Sequence, residues 1–451
     1  MEPVKQKLTF KEKVGYGLGD TASNLYFQMF VNFLLFFYTD VFGIPAAAAG
    51  TMLMVSRFWD AINDPLMGII SDRTQTKWGK FRPYLLWISL PLAIIGVATF
   101  TTPDLSVTGK IVYAYITYTL MMMAYTAINI PYSALLGVLS PSSQDRTSAS
   151  TYRFVLAFIG AFIVQGLTLP LVNFFGKGDQ ATGFPLTMAV FGVMAVILFY
   201  LTFKGTRERV QPLANQQTSL KDDLKDLLKN RPWMLLLFMG VFTLGYVIVR
   251  NGSIMYYFKY YVNNEVMASV FMVSGTVAII AGITCTQFFS KVFGKKRFYI
   301  IVMALTTVLT VLFYFIPKEH LVLVFVMHII ISFVMAPQAP LLWAMYADTA
   351  DYSEWKNERR ATGLVFSAAT FAQKFGIALG GGMAGWMLAL FGFIANQPQT
   401  PDTITGIRLM MSIIPAIGTL IAAVAAIFYE LDDDKMAQIE KDLETRRALE
   451  Q

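Results

Sequence analysis

The chain is short of charge. Only 14% of its 451 residues are Asp, Glu, Lys or Arg, and 55% are hydrophobic, where a soluble domain carries about 25% charge. That deficit excludes an ordinary soluble protein and points to a polytopic membrane protein. Cysteine is nearly missing as well: Cys285 stands alone, so no internal disulfide can form, and its apolar surroundings assign it to packing. The two histidines, His320 and His328, are too few for a histidine metal cluster. The N-terminus, MEPVKQKLTFKEKVGYGLGD, lacks the short apolar core and small-residue cleavage site of a secretory signal, so no cleaved signal peptide is expected.

What the chain has is apolar sequence in long runs. Stretches long enough to span a bilayer fall near residues 16 to 39, 46 to 70, 83 to 102, 110 to 139, 148 to 174 and 184 to 203, and then near 233 to 262, 266 to 290, 298 to 316, 321 to 347, 361 to 391 and 405 to 429. They predict an all-α polytopic membrane protein with twelve transmembrane helices in two six-helix bundles. The bundles occupy residues 1–204 and 232–430, joined by a charged linker, 205–231, with a short amphipathic helix. The tail, 431–451, reads as a soluble cytoplasmic helix. Lys and Arg gather at the N-terminus, in the tail and in the loops after the even-numbered spans. The opposite side holds only Lys110, Lys177, Lys318 and Arg408. By the positive-inside rule both termini face the cytoplasm from a bacterial inner membrane. The net charge of +7 follows from this topology, and no nucleic-acid partner is called for.

Within the runs, RFWDAINDP (Arg57 to Pro65) is the anomaly. A helix turns about 100° per residue, so Asp60, Asn63 and Asp64 share one face. Each charge in a membrane span costs roughly 2.5 to 3.5 kcal/mol on insertion scales, and nothing structural offsets that here. The cluster suits a cation or a proton inside a transporter. Other charges inside predicted spans are Asp20, Arg57, Arg153, Arg250, Lys259 and Lys374. Lys259 lies where it can snorkel, and the Asn251 and Gly252 that follow Arg250 predict a helix break. Asp20, Asn24 and Gln28 step along one face of the first span, and Thr126, Asn129 and Ser133 do so in the fourth, with Pro131 among them. These stripes, with Arg153 and Lys374 opposite, predict a water-filled cavity. Tyr26, Tyr125, Tyr152 and Trp343 are aromatics that suit stacking on the apolar face of a sugar ring.

The loop after the second span, GIISDRTQTKWGKFRP, sets Gly68, Asp72, Arg73, Lys77, Gly79, Lys80 and Arg82 in a tight turn. It resembles the conformational loop motif of the major facilitator superfamily, and FGKKR at 293 to 297 echoes it where a six-plus-six duplication would put it. Parallel halves of this kind hold substrate near the membrane midplane. Five segments carry a sharper resemblance: RFWDAINDPLMG, SDRTQTKWGKFRP, YTAINIPYSALL, DTADYSEW and ATGLVFSAATFAQKFG. Over nearly its whole length the chain is similar to the glycoside–pentoside–hexuronide:cation symporters, the melibiose permease family.

That resemblance implies site roles residue by residue. Asp60, Asn63, Asp64 and Thr126 would bind the cation. Asp20 and Arg153 would be the main sugar-binding charges, with Asn24, Tyr125, Asn129, Trp343 and Lys374 as further contacts. Asn129 and Ser133 depart from the melibiose permease pattern, which has an acid and a tryptophan there, and the NIPY form looks more like the pentoside and hexuronide branches. No cofactor is implied. The partners would be a small sugar or glycoside and the lipid bilayer, with the chain working as a monomer.

Two carboxylates on adjacent turns repel, so one takes a proton unless a cation sits between them. Four oxygen donors suit sodium, with lithium as a surrogate and proton coupling as the alternative. Lys374 or Arg57 would compensate the charge of the empty site. A different class of reading comes from Gly17, Leu18, Gly19 and Asp20, the GxGD string of intramembrane aspartyl proteases. The partner Tyr-Asp within a span and the Pro-Ala-Leu string are absent, so the chain is read as a transporter and not an enzyme.

Overall fold

A computed structural model of the chain describes residues 7–140, 143–209, 229–357 and 362–449; the side chains of Arg57, Asp60 and Asp72, with some others inside helices, lie outside the described set. The architecture is helical throughout its named elements. α1 (Phe10–Asn32) continues through Leu34–Phe36 into a π-helical turn, Phe37–Val41. Then come α2 (Ala46–Arg73), α3 (Ser89–Thr99, preceded by Arg82–Trp87), α4 (Val107–Leu139), α5 (Ser143–Gly176) and α6 (Gln180–Gly205). The second set is α7 (Arg231–Tyr256, running into a π-helical turn, Tyr257–Val262), α8 (Met267–Phe293), α9 (Lys295–Phe313), α10 (Gln338–Asn357, preceded by Leu321–Met335), α11 (Thr362–Leu390) and α12 (Ile413–Ile427, preceded by Pro401–Met411). The tail helix is α13 (Asp433–Leu449).

Among the described residues eight helical stretches are long and apolar enough to cross a membrane; with α1, α2, α3 and α11 they complete the twelve spans that the apolar runs predict. The starts are written in the sequence. Thr9 and Glu12 form a capping box, Ser106, Asp179, Asn230 and Thr400 each accept a first-turn N–H, and such caps contribute about 1 kcal/mol each. Large apolar side chains such as Phe154, Val193 and Val322 point outward and are exposed, which lipid tolerates and water does not.

The chain divides into two compact units. The first comprises Met1–Ala214 with the short segments Asn264–Val273 and Leu388–Gln399; the second comprises Asn215–Asn263, Ser274–Met387 and Thr400–Gln451. In the first, α1 is central and packs on α5 and α6, while α2 lies on α4 and α3 on α6. In the second, α7 and α9 both pack on α12, around Trp233, Tyr299, Met345, Tyr346 and Tyr429.

A duplicated device appears at the start of the third helix of each set. The Glu208 carboxylate accepts the backbone N–H groups of Lys80, Phe81 and Arg82 at 2.8, 2.8 and 3.0 Å, just where Arg82–Trp87 begins. Asp433 accepts the N–H of Lys295 at 3.2 Å at the start of α9. In each case a glycine with positive φ turns the chain under the acid, Gly79 at +108° and Gly294 at +77°, and a Cβ there would collide with the carboxylate. A helix N-terminus leaves unsatisfied N–H groups and a partial positive charge, and the acid answers both.

Two features differ from expectation. Arg250, Asn251 and Gly252 stay within α7, and the irregular turn comes later, at Tyr257–Val262; tertiary packing of a buried helix outweighs the roughly 1 kcal/mol that an interior glycine costs. The tail is helical but not free. Met436, Ile439 and Leu443 are buried in the core of the second unit, and Trp355 Nε1 donates to Asp442 Oδ2 at 2.9 Å. The amphipathic helix expected in the linker falls largely in 210–228, outside the described residues.

Candidate functional site

Two polar constellations stand in the first unit. The first joins α2 to α4: Thr126 Oγ1 donates to Asp64 Oδ1 at 3.0 Å. Thr126 is 3% exposed, and neighbouring Asn63 is half-buried, its Nδ2 having no hydrogen-bond partner among the described residues. A hydroxyl that gives its hydrogen to a carboxylate keeps its lone pairs. The Thr126 oxygen, the Asp64 carboxylate and the Asn63 amide oxygen are therefore hard donors held on two adjacent helices, a set that suits a small hard cation. The Asp60 backbone lies in α2 one helical turn away from Asp64; its side chain is outside the described set.

The second constellation joins α1, α4 and α5. Arg153 Nε meets Asp20 Oδ2 at 3.1 Å, and the guanidinium lies 5.1 Å from the centre of the Tyr132 ring. Tyr132 in turn stacks on Tyr16 at 4.9 Å and donates its hydroxyl to the Tyr16 carbonyl at 2.8 Å. Asp20 is 8% exposed, so its charge requires a partner, and Arg153 supplies it. The glycine before Asp20 has a packing reason: a Cβ on Gly19 would collide with the Tyr132 ring. The GxGD string is thus explained by close approach of a tyrosine to α1, and the aspartate that follows it is paired with arginine.

The remaining expected contacts divide. Asn129 bridges α4 to α1, its Oδ1 accepting from Ser23 Oγ at 2.8 Å and its Nδ2 donating to the Tyr125 carbonyl at 3.0 Å. Its amide is therefore engaged at both ends by protein. Asn24 Nδ2 donates back to the Asp20 carbonyl at 3.0 Å. Tyr125 is half-buried and meets Phe30 edge-on at 6.0 Å. Trp343 and Lys374 belong to the second unit; Trp343 packs edge-on against Tyr346 at 6.0 Å, and Lys374 is half-buried in α11.

In the loop motif, Gly68 stays helical with open space beside it, Arg73 is exposed, and the Asp72 side chain lies outside the described set. Lys80 contributes its backbone N–H to the Glu208 cap. Tyr16, Ser23, Tyr132 and Glu208 are contributors that sequence reasoning misses. Tyr16 and Tyr132 carried a weak signal, lying one turn from Asp20 and inside the NIPY segment, whereas Glu208 carried none, since only folding brings it to Gly79.

Comparison with known proteins identifies the family. Residues 15–433 match the family described as MFS/sugar transport protein. The Escherichia coli K12 protein YagG, provisionally named a glycoside/cation symporter, is 37% identical over 443 residues, covering 98% of this chain and 96% of that one. The isoprimeverose transporter of Lactiplantibacillus pentosus is 35% identical over 451 residues, covering 99% and 94%. A crystal structure of a mutant nucleoside transporter, NupG, shares the fold, with a TM-score of 0.67 at 14% identity over 94% of this chain and 100% of that one. The chain is a transporter and not an enzyme, and it belongs to the glycoside–pentoside–hexuronide:cation symporters of the major facilitator superfamily.

Proposed function

We propose that the protein carries a glycoside, pentoside or hexuronide into the cell by symport with a cation, and that the cation is sodium. The observation that carries this reading is the 3.0 Å bond from Thr126 to Asp64, which sets a hydroxyl, a carboxylate and the neighbouring Asn63 amide together in the apolar spans α2 and α4. Asp60, Asn63, Asp64 and Thr126 are assigned to the cation. Asp20 and Arg153 are assigned to the sugar, with Asn24, Tyr125, Asn129, Trp343 and Lys374 as further contacts. The names of the relatives support a sugar cargo and a cation partner.

The chemistry follows from charge. Carboxylates in an apolar span repel one another and are poorly solvated, so a cation bound among them removes the penalty that opposes the next step. Arg153 donates to sugar hydroxyl oxygens while Asp20 accepts from hydroxyls, and their ion pair orients both in advance. The gathering of basic residues in the loops of one side supports cytoplasmic termini in a bacterial inner membrane, and the proposed working form is a monomer. Titration of purified protein with candidate glycosides in sodium, lithium and choline buffers at fixed pH tests the reading. Sugar affinity should rise with sodium and with lithium; equal affinity in all three, with a response to pH alone, would assign the coupling to a proton instead.

A further inference from the structure

The turn after α2 holds more positive charge than the protein around it neutralises. Lys77 and Lys80 lie in the turn, Arg82 opens the short helix before α3, and Lys204 and Arg207 stand at and just past the end of α6. Aromatic rings draw these bases into one patch. Trp78 meets Phe203 edge-on at 5.9 Å, Lys77 Nζ lies 5.1 Å from the centre of the Trp78 ring, and the Arg82 guanidinium lies 4.5 Å from that of Phe203. Beside them Lys204 Nζ lies 4.9 Å from the centre of the Tyr200 ring. The neighbouring acid is engaged elsewhere, since Glu208 accepts the backbone N–H groups of Lys80, Phe81 and Arg82. Among the described residues Lys77, Lys80, Lys204 and Arg207 form no ion pair. The echo of this turn in the second unit differs, because there Lys295 Nζ pairs with Asp348. The excess charge therefore belongs to this patch and not to the repeated turn as such.

The setting of the patch selects its anion. Trp78 and Tyr200 are 37% and 43% exposed, and such amphipathic rings sit at the level of lipid headgroups. Deeper along the same helix, Val193, Ile197 and Leu201 are exposed at intervals of four, and α3, which packs on α6, exposes Leu90 and Ile94. Val193 to Leu201 spans about 12 Å at 1.5 Å per residue, most of the roughly 15 Å that one leaflet contributes to a 30 Å hydrocarbon core. Topology accounts for basic loops, but not for bases stacked on exposed rings at the head of an apolar lane. A free phosphate would use the charges alone, whereas a phospholipid uses charges, rings and lane together. We propose that the surface between Arg82–Trp87 and the end of α6 binds an anionic phospholipid of the phosphatidylglycerol type. Lys77 and Lys204 meet its phosphodiester, Trp78 and Tyr200 its glycerol, and its acyl chains lie along α6 and α3. The site shares no residue with those assigned to the cation and the sugar, and it stands or falls apart from them.

The test uses the purified full chain in detergent and native mass spectrometry, with dioleoyl phosphatidylglycerol, phosphatidylethanolamine and phosphatidylcholine titrated in turn. Each basic residue near a membrane surface contributes about fivefold in affinity. Phosphatidylglycerol should therefore form its adduct at a concentration about tenfold or more below the other two lipids. Lys77→Gln combined with Lys204→Gln should weaken phosphatidylglycerol by about tenfold or more and leave phosphatidylcholine unchanged. Lys77→Arg with Lys204→Arg keeps both charges and should keep the lipid. Lys291→Gln with Lys441→Gln removes the same charge from exposed positions of the second unit and should keep it too. Equal binding of the three lipids overturns the proposal. So does an equal loss in the two glutamine pairs, which would mean diffuse attraction by net charge, and so does an arginine pair that fails to hold the lipid. Displacement of phosphatidylglycerol by excess sn-glycerol 3-phosphate would assign the patch to a free phosphate and overturn the lipid as its ligand. Lys77 and Lys204 are exposed, so all variants should melt with the parent when no lipid is added, and binding restored by the arginine pair separates a lost contact from a folding defect.

Discussion

Arg250 is 4% exposed in α7, yet its recorded polar contacts are neutral. Nε donates to the Met411 carbonyl at 3.3 Å, and Nη1 and Nη2 both approach His328 Nδ1 at 3.2 Å; Phe313 faces the guanidinium at 5.5 Å. The Met411 carbonyl is available because the last span breaks at Ser412, whose φ and ψ are −137° and −93°, so the arginine satisfies an acceptor that the broken helix releases. Two donors on Nδ1 require the neutral ring with its hydrogen on Nε2. A planar fork reaches the carbonyl through Nε and the ring nitrogen through Nη1 and Nη2, whereas the three donors of an ammonium all sit on one nitrogen and do not span that separation. Arg250→Lys should therefore lower stability by about 1–3 kcal/mol, the cost of a stranded buried polar group, although it keeps the charge. Thermal unfolding in detergent measures this, and a Lys variant melting with the parent would show that charge alone matters. Arg250 was legible in the sequence as a costly residue, as were Asp20, Asp64, Thr126 and Arg153, because ionic and polar groups in apolar runs stand out. Its role was not legible, because the carbonyl that it serves lies 161 positions away.

At the scale of elements, the segment just past α6 binds several helices of the first unit at once. Glu208 caps Arg82–Trp87. Arg209 donates its N–H to the Val138 carbonyl at 2.8 Å and Nη1 to the Leu139 carbonyl at 3.2 Å, at the end of α4, and its Nη2 pairs with Glu12 near the start of α1. Burial alone would raise the Glu12 pKa, but hydrogen bonds from Thr9 and Arg209 outweigh it and hold the carboxyl below its ordinary value of 4.5. A depressed folded pKa gives stability that is complete above the unfolded value and is lost as pH falls through the folded one. Parent and Glu12→Gln proteins should thus differ in unfolding temperature at pH 7 and converge below about pH 4. The gap should be small, because such pairs contribute at most about 1 kcal/mol, or about 2 °C in a chain of this size. A gap that does not change with pH would show that the Glu12 charge is not what stabilises this junction. The helices themselves were plain from apolar length, and the echo FGKKR marked the second turn. What the sequence hid were the partners, Glu208 and Asp433, and the docking of the tail, since each joins groups more than eighty residues apart, where no local pattern reports on contact.

For the whole molecule the governing quantity is a coupling free energy. The constellations proposed for the cation and for the sugar are distinct places in the first unit: Thr126 and Asn129 lie on the same helix, α4, with Thr126 bonded to Asp64 on α2 and Asn129 bonded to Ser23 on α1. Helix α4 therefore touches both, three residues apart, and a shift that tightens one contact bears on the other. Linkage requires that if sodium raises sugar affinity by some factor, sugar raises sodium affinity by the same factor, typically 5- to 150-fold for couplings of about 1–3 kcal/mol. Calorimetry can close this cycle with sugar titrated at zero and saturating sodium, and sodium at zero and saturating sugar. Thr126→Val removes the hydroxyl donor and an oxygen ligand while keeping the shape, so it should weaken sodium about tenfold or more. At sub-saturating sodium the sugar should weaken with it, and at saturating sodium the sugar affinity should return towards the parent value. That recovery separates a cation ligand from a sugar ligand: if Thr126→Val weakened sugar equally at every sodium concentration, Thr126 would belong to the sugar site, and the assignment of α2 and α4 to the cation would be wrong.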